Sequence, residues 1–203
     1  MDLLPITEIP AFSATQAAHK ALSAVLAAGD WVVDATAGNG HDTAFLADAV
    51  QPGGRVFACD RQRVALDATH ARLVEAKLTD NVEFFQSDHA DLSKNLPAEA
   101  HGRIRAVIFN LGYLPGGAKA IITEKASTLR ALDTLATFLA PGGRLVVVAY
   151  RGHPGGEEEF AAVQSWFHQN REKIRILQIA TAKATHRVPP VLFVGEAHAG
   201  ARN

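Results

Sequence analysis

The residues able to do chemistry gather where apolar runs end. The run WVVDATA (31–37) leads into VDATAGNGHD, which holds Asp34, Gly38, Asn39, Gly40 and His41. Gly38 and Gly40 let the backbone turn sharply and approach a ligand closely, and a helix that follows presents its N-terminal amides there. The dinucleotide fingerprint G-x-G-x-x-G fails, because Thr43 occupies its third glycine position, which argues against NAD. What remains, Asp-x-x-x-Gly-x-Gly, is either a cofactor loop or a tight turn. Asp60 favours the cofactor. It ends the run RVFACD, about 20 residues after the glycines, where a carboxylate can accept from both ribose hydroxyls. Gln62 lies two residues on, and Asp88 and His89 close a third run, VEFFQSD. Each of these polar residues also suits a helix cap or a loop. Three such features at three successive strand ends point to a nucleotide cofactor. A fourth run, IRAVIFN, delivers Asn110 and Tyr113 into FNLGYLPGG, a loop rich in glycine.

Three histidines, His41, His89 and His153, each follow a predicted strand. They can converge on one face, but their long spacing argues against a metal site, and no metal is expected. Lys183, His186 and Arg187 fall in the last hairpin loop, with Lys119 and Lys125 near the fourth strand. These are the candidate phosphate contacts.

The elements that must position these residues are legible in outline. Ser13 and Gln16 form a capping-box pattern ahead of a helix through ATQAAHKALSAVLAA, ending at Gly29. Strands are expected at 31–37, 55–60, 82–88, 104–110 and 144–150, separated by helices at 41–50, 63–78, Thr123–Leu139 and 157–170. The apolar spacing of the helix at 63–78 is Val64, Leu66, Leu73, Val74 and Leu78. Five strands alternating with helices predict a parallel sheet covered on both faces. KIRILQIATA and PPVLFVGEA then give two strands joined only by a loop, so that pair is antiparallel. The expected fold class is α/β: a seven-stranded, mostly parallel sheet with an antiparallel C-terminal strand. Residues 1–203 are expected to form one domain, including the N-terminal helical segment 1–30.

With 20 basic and 21 acidic side chains, the net charge of −1 gives no global footprint for nucleic acid, so such a substrate needs a local patch. A single cysteine, Cys59, excludes an intrachain disulfide. No apolar run approaches the roughly 18 residues of a transmembrane helix, and the N-terminus lacks a signal-peptide pattern. A cytoplasmic location is expected.

The Asp34–Gly40 stretch resembles motif I of the S-adenosylmethionine-dependent methyltransferases, whose Rossmann-like sheet has this strand pattern. NLGY resembles the [Asn/Asp/Ser]-Pro-Pro-[Tyr/Phe] motif of amino-methyltransferases, with Leu111-Gly112 in place of the prolines. Together, DATAGNGHDTAFLA, SDH, FNLGYLPGG and YRGHPGGEEE resemble the family once labelled putative rRNA methylases, over nearly the whole chain. That family includes the bacterial tRNA 5-(aminomethyl)-2-thiouridine methyltransferases. One departure is Ala118, where an acidic residue is expected.

The resemblance implies methyl transfer from S-adenosylmethionine to the aminomethyl nitrogen of a wobble uridine, reached through the tRNA anticodon loop. It implies that Asn110 and the Leu111 carbonyl accept from that nitrogen, beside Gly112, and that Tyr113 stacks on the base. Asp34, Gly38, Asn39, Gly40, His41, Asp60, Gln62, Asp88 and His89 are the implied cofactor contacts. His153 is placed at the substrate or as a relay for the amine proton. Lys119, Lys183 and Arg187 are placed on the tRNA. Either a monomer or a homodimer is compatible with the sequence. An rRNA base or a small amine is the alternative acceptor, and a non-catalytic cofactor-binding protein is a further alternative.

Overall fold

The computed structural model describes residues 6–9, 13–112, 124–182 and 188–198. In chain order its elements are β1 (Thr7–Ile9), α1 (Ala14–Ser23), β2 (Trp31–Asp34), α2 (His41–Ala49), β3 (Arg55–Asp60), α3 (Arg63–Ala76) and β4 (Val82–Gln86). Two short 3-10 turns, His89–Lys94 and Ala98–Ala100, lead to β5 (Ile104–Leu111), α4 (Lys125–Ala136), β6 (Leu139–Ala149), α5 (Gly156–Gln169), β7 (Ile174–Ala182) and β8 (Val191–Ala197).

All described strands join one sheet in the order β1-β7-β8-β6-β5-β2-β3-β4. From β2 the chain runs outward to β3 and β4, then returns to β5 on the other side of β2. The strand order therefore reverses between β2 and β5, opening a crevice at their carboxyl ends. β8 inserts between β6 and β7 and is antiparallel to both. This is the expected antiparallel C-terminal strand.

The sheet has eight strands rather than seven. The extra strand, β1, pairs parallel with β7 through Thr7 and Ala180. At three residues it is too short for an alternating pattern to show.

The central strands are apolar throughout because both faces are covered. Along β5, Val107 and Phe109 pack with Trp31, Phe57 and Phe167 on one face, while Ala106 and Ile108 pack with Leu46, Val146 and Leu22 on the other. Burying each such Phe, Val, Leu or Ile side chain contributes roughly 1.5–3 kcal/mol, so β5 is anchored from both sides.

Helix boundaries follow local chemistry. The capping box forms: Gln16 N donates to Ser13 Oγ at 3.1 Å and Ser13 N to Gln16 Oε1 at 3.2 Å. α1 stops at Ser23, short of Gly29, and the Asp30 carboxylate captures the Ala27 amide at 2.8 Å. α4 is capped at Glu124 rather than Thr123, which lies outside the described residues, and it ends at Ala136 rather than Leu139. The PGG after it is no simple turn. It lies inside β6, where the register against β5 slips. A Cβ on Gly143 there would meet three carbonyl oxygens within 3.1 Å, so the slip needs glycine. In α3 the buried face is Ala65, Leu66, Thr69 and Leu73, while Val64 and Val74 face solvent, contrary to the apolar spacing.

Candidate active site

A cavity of about 550 Å³ opens at the carboxyl ends of β2, β3, β5 and β6, with α1 along one side. Small-molecule sites fall in a range of roughly 300–1,000 Å³.

The glycine turn forms its base. Gly40 takes a left-handed conformation at φ 78° and caps α2 without a side chain. A Cβ there would lie 2.8 Å from Thr69 Cα, so α3 packs directly on the turn. Thr69 and Arg72 also bind it, donating to Gly38 O at 3.1 Å and Asn39 O at 2.7 Å. Asp60 ties β3 to the same turn, accepting from Gly38 N at 3.0 Å and from Gln62 N at 2.8 Å. Its remaining lone pairs serve the cavity, which Asp60 lines with Gly38, Asn39, His41 and Gln62. Burial raises the Asp60 pKa.

Two expected cofactor contacts stand back from the cavity. Asp34 is fully buried, accepting from Thr43 Oγ1 at 2.6 Å and Thr36 N at 3.1 Å. Thr43, which breaks the dinucleotide fingerprint, is thus the anchor of Asp34. Burial, and after it the neighbouring Asp42, push Asp34 up to about 7. Asp88 caps the first 3-10 turn through Ala90 N at 2.9 Å and lies 3.7 Å from Arg61. It is not among the lining residues, whereas Arg61, Ser87 and His89 are. His89 is buried, with Nε2 3.0 Å from Ser127 Oγ. Burial lowers its pKa to about 4, so the ring is neutral.

The other end of the cavity is built around Asn110, at the end of β5. Its backbone N donates to Thr36 Oγ1 at 2.7 Å, and its Nδ2 to Asp42 Oδ2 at 3.1 Å. A carboxylate oxygen accepts, so the amide nitrogen must face Asp42 and the amide oxygen is left for a ligand. Asp42 also meets His19 Nε2, at 2.6 Å. The His19 ring lies parallel to Phe45, 4.0 Å between centroids. Leu111 and Gly112, expected at the substrate, line the cavity. The Leu111 carbonyl already accepts from Tyr150 N at 3.2 Å, leaving one lone pair. Tyr150, 40% exposed, presents its ring beside Gly112.

His153 does not reach this cavity. Its ring packs over Gly156 at the start of α5, with Nδ1 3.0 Å from Pro154 O. The expected contacts Tyr113, Lys119, Lys183 and Arg187 lie outside the described residues. Sequence reasoning missed Thr15, Gln16, His19, Thr36, Asp42, Arg61 and Tyr150 as lining residues. The signal in α1 was a polar stripe, Thr15 and His19 four residues apart, beside the buried stripe of Ala14, Ala18 and Leu22.

A switch-point crevice with a glycine turn, a half-buried acid at the next strand end and an amide at the end of β5 defines a Rossmann-like methyltransferase. The donor set fits S-adenosylmethionine, the cofactor of this class: Asp60 offers acceptors to ribose hydroxyls, and Ala35, Ala37 and Leu111 add apolar walls. The chain belongs to the family described as "Putative rRNA methylase", whose model matches residues 56–196. A crystal structure of a protein from Clostridium thermocellum with the same description is 34% identical, with a TM-score of 0.85 over 92% of this chain and 98% of that one. A protein from Streptococcus mutans described as "a putative methyltransferase", solved in complex with SAH, is 32% identical, with a TM-score of 0.80 over 92% and 98% of the two chains. A chloroplastic tRNA (mnm(5)s(2)U34)-methyltransferase of Arabidopsis thaliana is 42% identical over 161 residues. That match covers 75% of this chain but only 58% of the relative's length. Among the described residues no helix is long and apolar enough to cross a membrane.

Proposed function

We propose that this protein methylates the exocyclic aminomethyl nitrogen of 5-aminomethyl-2-thiouridine at the tRNA wobble position, in the cytoplasm. The observation that carries this reading is the fixed orientation of Asn110. With its Nδ2 held by Asp42, its Oδ1 is an acceptor suited to an amine N–H. The name of the Arabidopsis relative supports a wobble uridine of tRNA as the acceptor.

When bound, S-adenosylmethionine supplies an electrophilic methyl group on a positively charged sulfur. The Gly38–Gly40 turn and Asp60 would hold its nucleoside part, with Arg61, Ser87 and His89 at the β3 and β4 side of the cavity. Asn110 Oδ1 and the remaining Leu111 lone pair orient the amine, which must sit at roughly 3–3.5 Å from the methyl carbon and in line with it. The apolar walls disfavour charge and so favour the neutral, nucleophilic amine over the ammonium. Tyr150 offers a face for the uridine ring.

The family description favours a second reading, an rRNA base as acceptor. One experiment separates them. Purified protein and S-adenosylmethionine are incubated with tRNA from cells lacking the modification, and in parallel with rRNA, and the nucleosides are analysed by mass. The expected result is one added methyl on aminomethyl-thiouridine. Methyl appearing only in rRNA would overturn the tRNA reading.

A further inference from the structure

An alkylamine arrives largely protonated at neutral pH and has no lone pair until a proton leaves. Asn110 and the Leu111 carbonyl orient the amine but do not take that proton, and His153, the histidine expected to relay it, is not among the residues lining the cavity. Among the described residues, three histidines line the cavity. His41 is exposed, and its Nε2 lies 3.2 Å from the guanidinium of Arg72, whose N–H occupies that nitrogen's lone pair. His89 is packed against Phe109 and Ser127 at the β4 side, and burial makes it a weak base. His19 alone of the three shares a carboxylate with Asn110, the residue at the transfer position.

We propose that His19 is the base that removes the amine proton, with Asp42 fixing its tautomer and orientation. This rests on the amine-methyltransferase reading above. The geometry does three things. Asp42 Oδ1 accepts, so His19 Nε2 carries a hydrogen, and in the neutral ring Nδ1 keeps the lone pair. Stacking on Phe45 at an interplanar angle of 6° holds the ring plane. Asp42, only 5% exposed, uses its second oxygen to aim Asn110, so one carboxylate sets both the amine's acceptor and its base. A base held by an orienting carboxylate at the wall of the cavity is the pattern of activated-nucleophile sites in general.

The chemistry balances without another reagent. An ammonium N–H bond breaks, its electron pair stays on nitrogen, and the proton goes to His19 Nδ1. The freed pair forms the N–C bond to the methyl carbon as the C–S pair returns to sulfur. The product leaves as a secondary ammonium, and the imidazolium of His19 returns its proton to water.

Other ionisable groups line the same cavity: His41 and Asp42 of α2, Asp60 of β3, Arg61 and His89 beyond the ends of β3 and β4, and Tyr150 after β6, with Asp34 of β2 buried near Asp42. All are present in a His19 variant, so a comparison of pH profiles isolates His19. The test uses single-turnover methylation of tRNA carrying aminomethyl-thiouridine, from about pH 6 to 9.5, with wild type, His19→Gln and His19→Ala. General base catalysis is worth about 10²–10⁴-fold. His19→Gln is expected to be at least about 100-fold slower near neutral pH and to converge on wild type at high pH, where the amine is already neutral. Added imidazole should restore part of the His19→Ala rate, while SAH affinity in both variants stays within about twofold by calorimetry. A deficit that is equal at every pH, or an unchanged rate, overturns the proposal. A second readout needs no turnover: nitrogen-15 spectra of the imidazoles should show His19 protonated at Nε2, and the opposite tautomer also overturns it. Wild-type protein that adds no methyl to this tRNA marks failure of the underlying reading instead, visible before any variant is compared.

Discussion

Asn110 is useful only because Asp42 decides which way its amide points. Without the carboxylate, oxygen and nitrogen would be interchangeable, and half the orientations would offer the amine a donor instead of an acceptor. Asn110→Ala removes one hydrogen bond to a nitrogen that gains charge during transfer. Such bonds are worth about 1.5–3 kcal/mol, so the single-turnover rate should fall by roughly 10–150-fold with SAH binding unchanged. A rate within twofold of wild type would remove Asn110 from the reaction. Tyr150 tests the base platform. Stacking of a base on an aromatic ring contributes about 1–3 kcal/mol, so Tyr150→Ala should weaken tRNA binding by roughly 5–150-fold, and Tyr150→Phe should restore it. If Phe fails to restore it, the hydroxyl, which pairs with Thr15, matters rather than the ring. Asn110 could be singled out from the sequence because polar residues ending apolar runs are local signals. His19 could not. Its partner lies 23 residues away on another helix, and an isolated histidine on an alanine-rich helix announces no contact.

At the scale of elements, α3 holds the glycine turn in place, and the two glycines Gly29 and Gly40 allow this to be measured. Both have positive φ, at 86° and 78°. A Cβ on Gly29 would meet nothing within 4 Å, whereas on Gly40 it would meet Thr69 Cα at 2.8 Å. Gly29→Ala should therefore show backbone strain alone, about 1–2 kcal/mol in urea unfolding. Gly40→Ala should cost more, because α3 must also shift, and it alone should weaken SAH binding. Equal losses from the two would mean that the α3 contact is unimportant to the turn. Legibility followed the same physics. β2, β3, β5 and β6 were readable because a sheet covered on both faces writes continuous apolar runs. β1 has three residues, and the glycines inside β6 resemble a turn until the slip against β5 is seen. The surplus apolar residues of α3, Val64 and Val74, misled because helical spacing alone does not say which stripe the sheet selects.

For the whole molecule, the site imposes a pH signature on stability. Asp34 keeps its proton in the folded protein up to about pH 7, against an ordinary value of 3.8. The native state therefore holds an extra proton in that window. The contribution of Asp34 is fully present below about pH 3.8 and is lost as pH rises towards 7. His89 acts in the opposite sense. Its pKa falls from 6.5 to about 4, so its contribution is fully present above pH 6.5 and is lost as pH falls towards 4. The two slopes oppose each other over much of the same range, and the wild-type curve alone would conceal both. Difference measurements separate them. Asn at position 34 can still accept from Thr36 N, so Asp34→Asn removes the titration while keeping that hydrogen bond. Urea unfolding at about pH 4.5 and 7.5 should show Asp34→Asn gaining on wild type as pH rises. His89→Gln should gain on wild type as pH falls. Two flat differences would mean that neither group is as desolvated as its packing indicates. Opposite slopes would show that the buried acid beneath the turn and the neutral histidine at the far wall are built at a cost in stability, as expected where a fold keeps a cavity polar at chosen points and dry elsewhere.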